Sequence, residues 1–499
     1  MTGPLGQTLT LAAYYAVLAV LAVYGAHRGL MVYLYYRHRR DAPQPAGPLA
    51  AWPRVTVQLP IYNEVYVVKR LVESVAAIDY PREALEIQIL DDSDDDTREV
   101  AQALAERLAA RGFAISHRAR SHRKGFKAGA LQDGLASASG EFLLILDADF
   151  VPGPDILKAC LPYFADPEVG MVQTRWGHLN RDFSRLTRIQ AILLDGHFVI
   201  EHTARHRSGR FFNFNGTAGV WRRSCIEESG GWQADTLTED LDLSYRAQLA
   251  GWKFVYLKDC VAPAEVPVDM NGLKSQQHRW TKGSIQTGHK LLPEIWRSSL
   301  PWKVKVEAFF HLTNNLSYVL VVLLALLLVP AILIRDRIGW QRLAILDFPL
   351  FFGATLSFLA FYVSSQREIG RGWKPTLRSL PLLLSLGIGI SINNARAVLE
   401  ALLGRPTGFT RTPKYSIEGA RGEWKTKKYR ARGNGSMAGE ILLAAYFFAC
   451  LVFAVRFGYW IAVPFLLVFF QGFASTAALS ASSWWNARRR LPGLMHGAG

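Results

Sequence analysis

Five stretches of this chain, residues 1–26, 312–334, 348–366, 441–455 and 457–482, contain no Asp, Glu, Lys or Arg. A helix that crosses a bilayer needs about 20 mostly apolar residues. The stretches therefore predict five membrane spans, the last two as a closely spaced pair. The first is followed by Arg28 and then by Arg37, Arg39 and Arg40. A cleaved leader carries its basic residues before the apolar core and a small-residue cleavage site after it. The order here is reversed, which predicts a retained span with its N-terminus outside.

A sixth uncharged run, 379–395, is short and ends in Asn393, Asn394 and then Arg396. It reads as a helix lying at the membrane interface. Residues 404–432 hold nine Lys/Arg against two Glu. Five spans put this basic stretch, the large polar middle of the chain and Arg488–Arg490 together in the cytoplasm, as cytoplasmic loops prefer positive charge. A sixth span would turn the basic stretch outward. Arg335, Arg337 and Arg342, in a short loop assigned outside, run against this pattern. The net charge of +16, from 57 Lys+Arg against 41 Asp+Glu, is explained by such loops, so no nucleic-acid partner is expected. The four cysteines include no CxxC pair, which excludes a disulfide framework or a zinc ribbon.

Residues 41–300 read as a soluble unit behind a Pro/Ala linker, 42–53. Strand-like runs at 55–59, 86–90, 113–116 and 142–146 alternate with helical patterns at 65–77, 97–111 and from Lys127. Alternation of this kind predicts a mainly parallel sheet covered by helices. Ligands bind beyond the carboxyl ends of such strands. Tyr62-Asn63-Glu64, Asp91–Asp96 and Asp147-Ala148-Asp149 fall at those ends.

Four motifs carry chemistry, and each has a plainer reading. The acidic run 91–96 can hold a nucleobase or a ribose, or simply cap the next helix. No GxGxxG loop accompanies it, which disfavours a dinucleotide dehydrogenase. Asp147 and Asp149 sit two apart after an apolar strand, and so point the same way. Two hard oxygen donors suit Mg2+ or Mn2+ with substrate phosphates completing the shell; the alternative is an acidic turn. Asp240, in Thr238-Glu239-Asp240, can act as a general base, or the acid pair can serve the helix dipole. Arg279 and Trp280, in Gln276-Gln277-His278-Arg279-Trp280, can meet a diphosphate and a sugar ring, or anchor the chain at the headgroups. His197, His202 and His206 with Glu201 lack a metal-site spacing and read as a polar helix face.

The order of these motifs resembles glycosyltransferase family 2, in its membrane-bound processive synthases. The resemblance runs from about Val55 to Ile285 and is closest to the cellulose-synthase-like A (glucomannan synthase) group and its bacterial relatives. It rests on LDDSDDDT (90–97), KGFKAGAL (124–131), QTRWGHLNRD (173–182), FNGTAGVWR (214–222), EESGGW (227–232), GWKFVYLKD (251–259) and QQHRWTKGS (276–284). Phe409-Thr410-Arg411-Thr412-Pro413-Lys414 also looks like the gating loop of cellulose synthases.

The resemblance implies a cytoplasmic α/β domain of the GT-A type joined to an α-helical transmembrane domain with interfacial helices. It implies that Tyr62, Glu64 and Asp92 hold the nucleoside and Lys127 the donor phosphate. Asp147 and Asp149 would bind a Mg2+ or Mn2+ diphosphate, Asp149 directly. Asp240, with Glu239 and Arg279, would carry the catalysis, and Gln276 and Trp280 would line the acceptor. Phe409, Thr412 and Lys414 would form the gating loop. The implied partners are a nucleotide sugar (UDP-glucose or GDP-mannose), a growing β-linked polysaccharide and membrane lipids, at a bacterial plasma membrane. The expected divisions are 1–40, 41–262, 263–303, 304–366, 367–436 and 437–499: first span, transferase domain, interfacial helices, span pair, interfacial helix with gating loop, and final pair with tail. Two rivals stand: single-sugar transfer to a lipid, as in ceramide glucosyltransferases, and a transporter or sugar-binding protein with a degenerate transferase domain.

Overall fold

The computed structural model describes residues 3–47, 51–339, 344–408, 410–431, 433 and 435–488. Arg489, Arg490 and Phe409 lie outside these residues. Seven strands form one sheet: β1 (Val55–Ile61), β2 (Leu85–Asp91), β3 (Ala114–Ala119), β4 (Phe142–Ile145), β5 (Val169–His178), β6 (Gly219–Arg222) and β7 (Lys253–Ala264). Their order is β3-β2-β1-β4-β6-β5-β7. The β1–β2, β2–β3, β1–β4 and β5–β7 pairs are parallel, whereas β6 runs antiparallel to both β4 and β5. The sheet is thus mainly parallel, with one reversed strand.

Apolar cores lie on both faces, which is why β1 and β4 read as near-continuous apolar runs. On one face Val55, Val57 and Leu59 pack with Leu71, Val72 and Val75 of the helix Val68–Ala76. On the other, Leu143 and Ile145 pack with Leu131, Trp221 and Phe254. Between β1 and β4 the chain order reverses, and a crevice opens beyond the strand ends at such a switch point. Tyr62 follows β1 on one side of it and Asp147 follows β4 on the other.

Among the described residues, five helices are long and apolar enough to cross a membrane: Pro4–Arg37, Trp302–Arg337, Trp373–Leu402, Met437–Arg456 and Val463–Ser483. The expected span at 348–366 falls within another helix, Ala344–Glu368. The run expected to lie at the interface belongs to Trp373–Leu402, which consists of two helices, Trp373–Gly389 and Ser391–Leu402. Just before it, Gln366 at the close of Ala344–Glu368 donates to Asp195 and accepts from Arg181 of the soluble domain. In its first half, Leu380 and Leu383 share an apolar cluster with Ile189 and Ile192 of that domain. Near its end, Glu400 meets His278 and Lys282 of the helix Met270–Arg297. At the bend, a Cβ on Gly389 would lie 1.8 Å from Thr476 Oγ1 and 2.5 Å from the Gly472 carbonyl oxygen. Only glycine permits so close a helix contact.

The membrane helices are tied to the soluble domain at one level. Lys274 Nζ donates to Glu440 Oε1 at 2.5 Å and Ser480 Oγ at 2.6 Å, all buried. At the far end Arg335 is engaged by Asp347 at 2.7 Å, so one of the arginines that ran against the charge pattern is neutralised there.

Candidate active site

One cleft beyond the strand ends is lined by Tyr62, Glu64, Asp92, Lys127, Asp147, Asp149, Glu239, Asp240, Gln276, Arg279, Trp280, Thr412 and Lys414. These are all the candidate residues named from the sequence that the structure describes. They come from five parts of the fold: strand ends, the helix Phe126–Ser137, the helix Glu239–Leu249, the helix Met270–Arg297 and the segment after residue 409. On Met270–Arg297, Asp269 caps the start by accepting from Gly272 N at 3.0 Å. Gln276, Arg279 and Trp280 are three and four residues apart, which puts them on one face of that helix. Trp280 lies 6.4 Å from Trp176, ring to ring.

At one end of the cleft Asp92 is held by Arg120 through two hydrogen bonds, 2.7 and 2.6 Å. Its neighbour Asp91 is fully buried and accepts from His117 at 2.8 Å, so the first aspartate of the run serves the fold. Tyr62 has the Arg123 guanidinium 3.3 Å above its ring. Gly125, at φ 73°, makes the turn into the helix Phe126–Ser137 that presents Lys127. Lys127 Nζ donates to Asp147 Oδ1 at 2.5 Å and to the Gly216 carbonyl at 2.8 Å. Asp147, Glu239 and Asp240 together raise the Lys127 pKa against the effect of burial.

Asp149 is buried, and its Oδ2 accepts from Lys414 Nζ at 2.6 Å and from Glu265 N at 3.1 Å. Glu265 in turn pairs with Arg70 at 2.6 Å. Among the described residues no three His, Cys, Asp or Glu gather closely enough to hold a metal ion alone. Asp147 and Asp149 both line the cleft, and two hard oxygen donors suit a divalent ion whose other ligands are phosphate and water. Each carboxylate already faces a cationic ammonium, Lys127 or Lys414, so positive charge is accommodated at both. Bound there, such an ion supplies charge neutralisation for a diphosphate leaving group.

Asp240 lies at the start of the helix Glu239–Leu249, where Leu241 N donates to its Oδ1 at 2.8 Å. Burial, reinforced by the adjacent Glu239 charge, pushes its pKa up to about 7. A carboxylate tuned this way is suited to take a proton near neutral pH. Gly216 faces it at φ 79°, and a Cβ there would lie 3.0 Å from Asp240 Oδ2. Glycine meets both demands at once, the backbone conformation and the space.

The histidine group is polar but largely internal. His202 is fully buried and donates to Asn215 Oδ1 at 2.7 Å, and His197 pairs with Glu201 at 2.9 Å. Burial holds the His202 pKa well below its usual value. The sequence reading missed several partners: Arg411, which grips Glu64 with two 2.9 Å bonds; Arg120; Arg123; and Glu265. Burial pushes the Glu64 pKa up to about 7 although Arg411 pulls it down. Arg411 and Glu64 are 347 residues apart, and no local pattern announces such a pair. Arg120 and Arg123 flank the KGFKAGAL stretch and were within reach of a reading that looked for cations opposite the acidic run.

Residues 53–283 match the family described as Glycosyltransferase like family 2. A probable glucomannan 4-beta-mannosyltransferase 9 of Oryza sativa subsp. japonica is 36% identical over 311 residues, 60% of this chain and 59% of that protein. Glucomannan 4-beta-mannosyltransferase 2 of Arabidopsis thaliana is 40% identical over 252 residues, 50% of this chain and 47% of that protein. The chain thus spans only about half the length of the curated relatives it matches. Among solved structures, a mannosyltransferase from Pyrobaculum calidifontis in complex with GDP-Man and Mn2+ is similar, with a TM-score of 0.52 and 22% identity, covering 79% of this chain and all of that one. The sheet, the cleft at its switch point and these likenesses agree on the fold: the family match takes in a little under half of the chain, and that part has a GT-A-like α/β fold joined to long apolar helices.

Proposed function

We propose that this protein is a membrane-embedded, inverting, processive glycosyltransferase that draws mannose from GDP-mannose to build a β-linked mannan or glucomannan and passes it across the membrane. The observation that carries this reading is the convergence of Asp149, Asp240, Arg279 and Trp280 on one cleft beside the membrane helices. The names of the rice and thale-cress relatives support mannosyl transfer, and give no support to UDP-glucose or to a bacterial membrane.

In this reading Asp240 takes the proton of the acceptor hydroxyl as that oxygen attacks the anomeric carbon. The bond from that carbon to the diphosphate breaks in the same displacement. Arg279 and Lys127 balance the charge that develops on the diphosphate. Asp147 and Asp149 would hold its divalent ion, Mg2+ or Mn2+, which would supply charge neutralisation for the leaving group. Trp280 and Trp176 give the acceptor chain flat faces. One base and one stabilised leaving group suffice for a single displacement, which inverts the anomeric carbon.

Topology follows from the same contacts. The segment 411–429 reaches Glu64, Asp149 and Asp95, so the basic stretch lies on the side of the transferase domain. Because the first half of Trp373–Leu402 packs on that domain and its end meets the helix Met270–Arg297, we assign this bent pair to the interface and give the crossing to Ala344–Glu368. Positive loops put that side in the cytoplasm.

The test is to supply the purified full chain in lipid with labelled GDP-mannose, GDP-glucose or UDP-glucose, and to size and digest the product. A long product from GDP-mannose that β-mannanase degrades is expected. A single-sugar lipid product would overturn processivity, and turnover of no nucleotide sugar would overturn the enzyme reading.

A further inference from the structure

Arg120 pairs with Asp92 and Arg123 lines the same cleft, and the surroundings of the two arginines differ. Arg120 has five N–H groups, and all five are engaged. Nε and Nη2 donate to Asp92, Nη2 also to the Phe126 carbonyl at 2.8 Å, and Nη1 to the Lys124 carbonyl at 3.2 Å and Asp133 at 3.1 Å. Arg120 therefore fixes Asp92 and the 120–126 loop and has no N–H left for a ligand. Arg123 lies on the same loop and lines the cleft with Tyr62 and Asp92. Its contacts are aromatic faces, Tyr62 at 3.3 Å and Phe126 at 5.3 Å. Its Nε is buried with no hydrogen-bond partner, and no carboxylate pairs with it among the described residues.

We infer that Arg123 is the residue that selects a guanine nucleotide, donating to O6 and N7 of the base while Asp92 accepts from N1–H and the 2-amino group. This rests on the guanosine-diphosphate donor proposed above. The chemistry of the two groups is complementary to guanine alone among the candidate bases. Guanine offers two adjacent acceptors on one edge and two adjacent donors on the next, and arginine's fork matches O6 and N7. Uracil offers one N–H between two carbonyls, and cannot satisfy a fork and a carboxylate in this way. Asp92 retains capacity for its part, since a carboxylate has about four acceptor sites and Arg120 takes two. The Arg123 guanidinium lies over the Tyr62 ring at 3.3 Å, an aromatic contact that a guanidinium favours.

The experiment measures equilibrium binding of GDP, 7-deaza-GDP and UDP, each with Mn2+, to the full chain in lipid nanodiscs and to its Arg123→Leu and Arg123→Lys variants. Wild type is expected to bind GDP more tightly than UDP. Both variants should lose about tenfold or more in GDP affinity while UDP changes less than about twofold. 7-Deaza-GDP, which lacks N7, should bind wild type more weakly than GDP and the variants no differently from GDP. Arg123→Lys keeps the charge, so its loss of GDP preference separates the fork from simple attraction to phosphate; it also decides the matter if Arg123→Leu fails to fold. Equal weakening of GDP and UDP would overturn the role of Arg123 and leave the GDP-mannose reading standing. A wild-type preference for UDP would overturn the donor reading itself.

Discussion

Lys414 Nζ lies 2.6 Å from Asp149 Oδ2, on the carboxylate assigned to the divalent ion. An ammonium and a metal ion compete for one oxygen. Lys414→Met is therefore expected to raise the affinity of the nucleotide-free protein for Mn2+, by several-fold or more. Titration of free Mn2+ by electron paramagnetic resonance measures this, and unchanged affinity would show that Lys414 does not guard the site.

Asp149→Ala should abolish the Mn2+ dependence of GDP binding. Wild type should lose GDP affinity when a chelator is added, whereas the variant should bind weakly with and without it. Calorimetry reads both, and a variant that still responds to Mn2+ would move the ion to other ligands.

Asp240→Asn keeps the shape of the side chain and removes its basicity. Transfer should fall by about 10²–10⁴-fold, the usual worth of a positioned base, with GDP affinity within about twofold of wild type. Loss of GDP affinity instead would place Asp240 in donor binding.

Burial and Glu239 raise the Asp240 pKa to about 7. A base must be deprotonated, so kcat/KM should fall below about pH 7. Removing a neighbouring negative charge makes the carboxylate easier to ionise. Glu239→Gln should therefore move the acid limb to lower pH, and a pH–rate profile of the two proteins gives the sign. A shift to higher pH would exclude Asp240 as the titrating group.

Gly389 supplies a test of the membrane half. A side chain there would overlap Thr476 Oγ1 and the Gly472 backbone. Gly389→Val should lower the thermal midpoint in detergent by several degrees, at a cost of about 1–3 kcal/mol for overpacking. Gly353→Ala, at a position with nothing among the described residues within 4 Å of a Cβ, should leave it nearly unchanged.

β1, β2 and β4 were legible because each is a short, buried, mostly apolar run bounded by polar turns, whereas β3, a largely exposed edge strand, showed only in its apolar start at 113–116. The last three were not assigned. β5 mixes Gly170, Arg175 and Gly177 into its run, β6 has four residues, and β7 is interrupted opposite Thr174 and Arg175. Their pattern follows from tertiary contacts. The candidate site was legible as motifs because its groups sit at strand ends and helix starts. Their counter-ions were not, since the Arg411–Glu64 and Lys414–Asp149 pairs join residues hundreds of positions apart. Hydropathy marked the 379–395 run as apolar; that Leu380 and Leu383 pack with Ile189 and Ile192 while Glu400 meets His278 and Lys282 follows only from tertiary contacts.

The buried lysine at position 274 belongs to the same helix as Gln276, Arg279 and Trp280, and it grips both Glu440 and Ser480 of the closing pair of membrane helices. Taking one partner from a buried ion pair costs about 3–5 kcal/mol, so this contact ties the two parts firmly. On the proposed reading, a tilt of those helices around an outgoing glycan would be carried along Met270–Arg297 to Trp280.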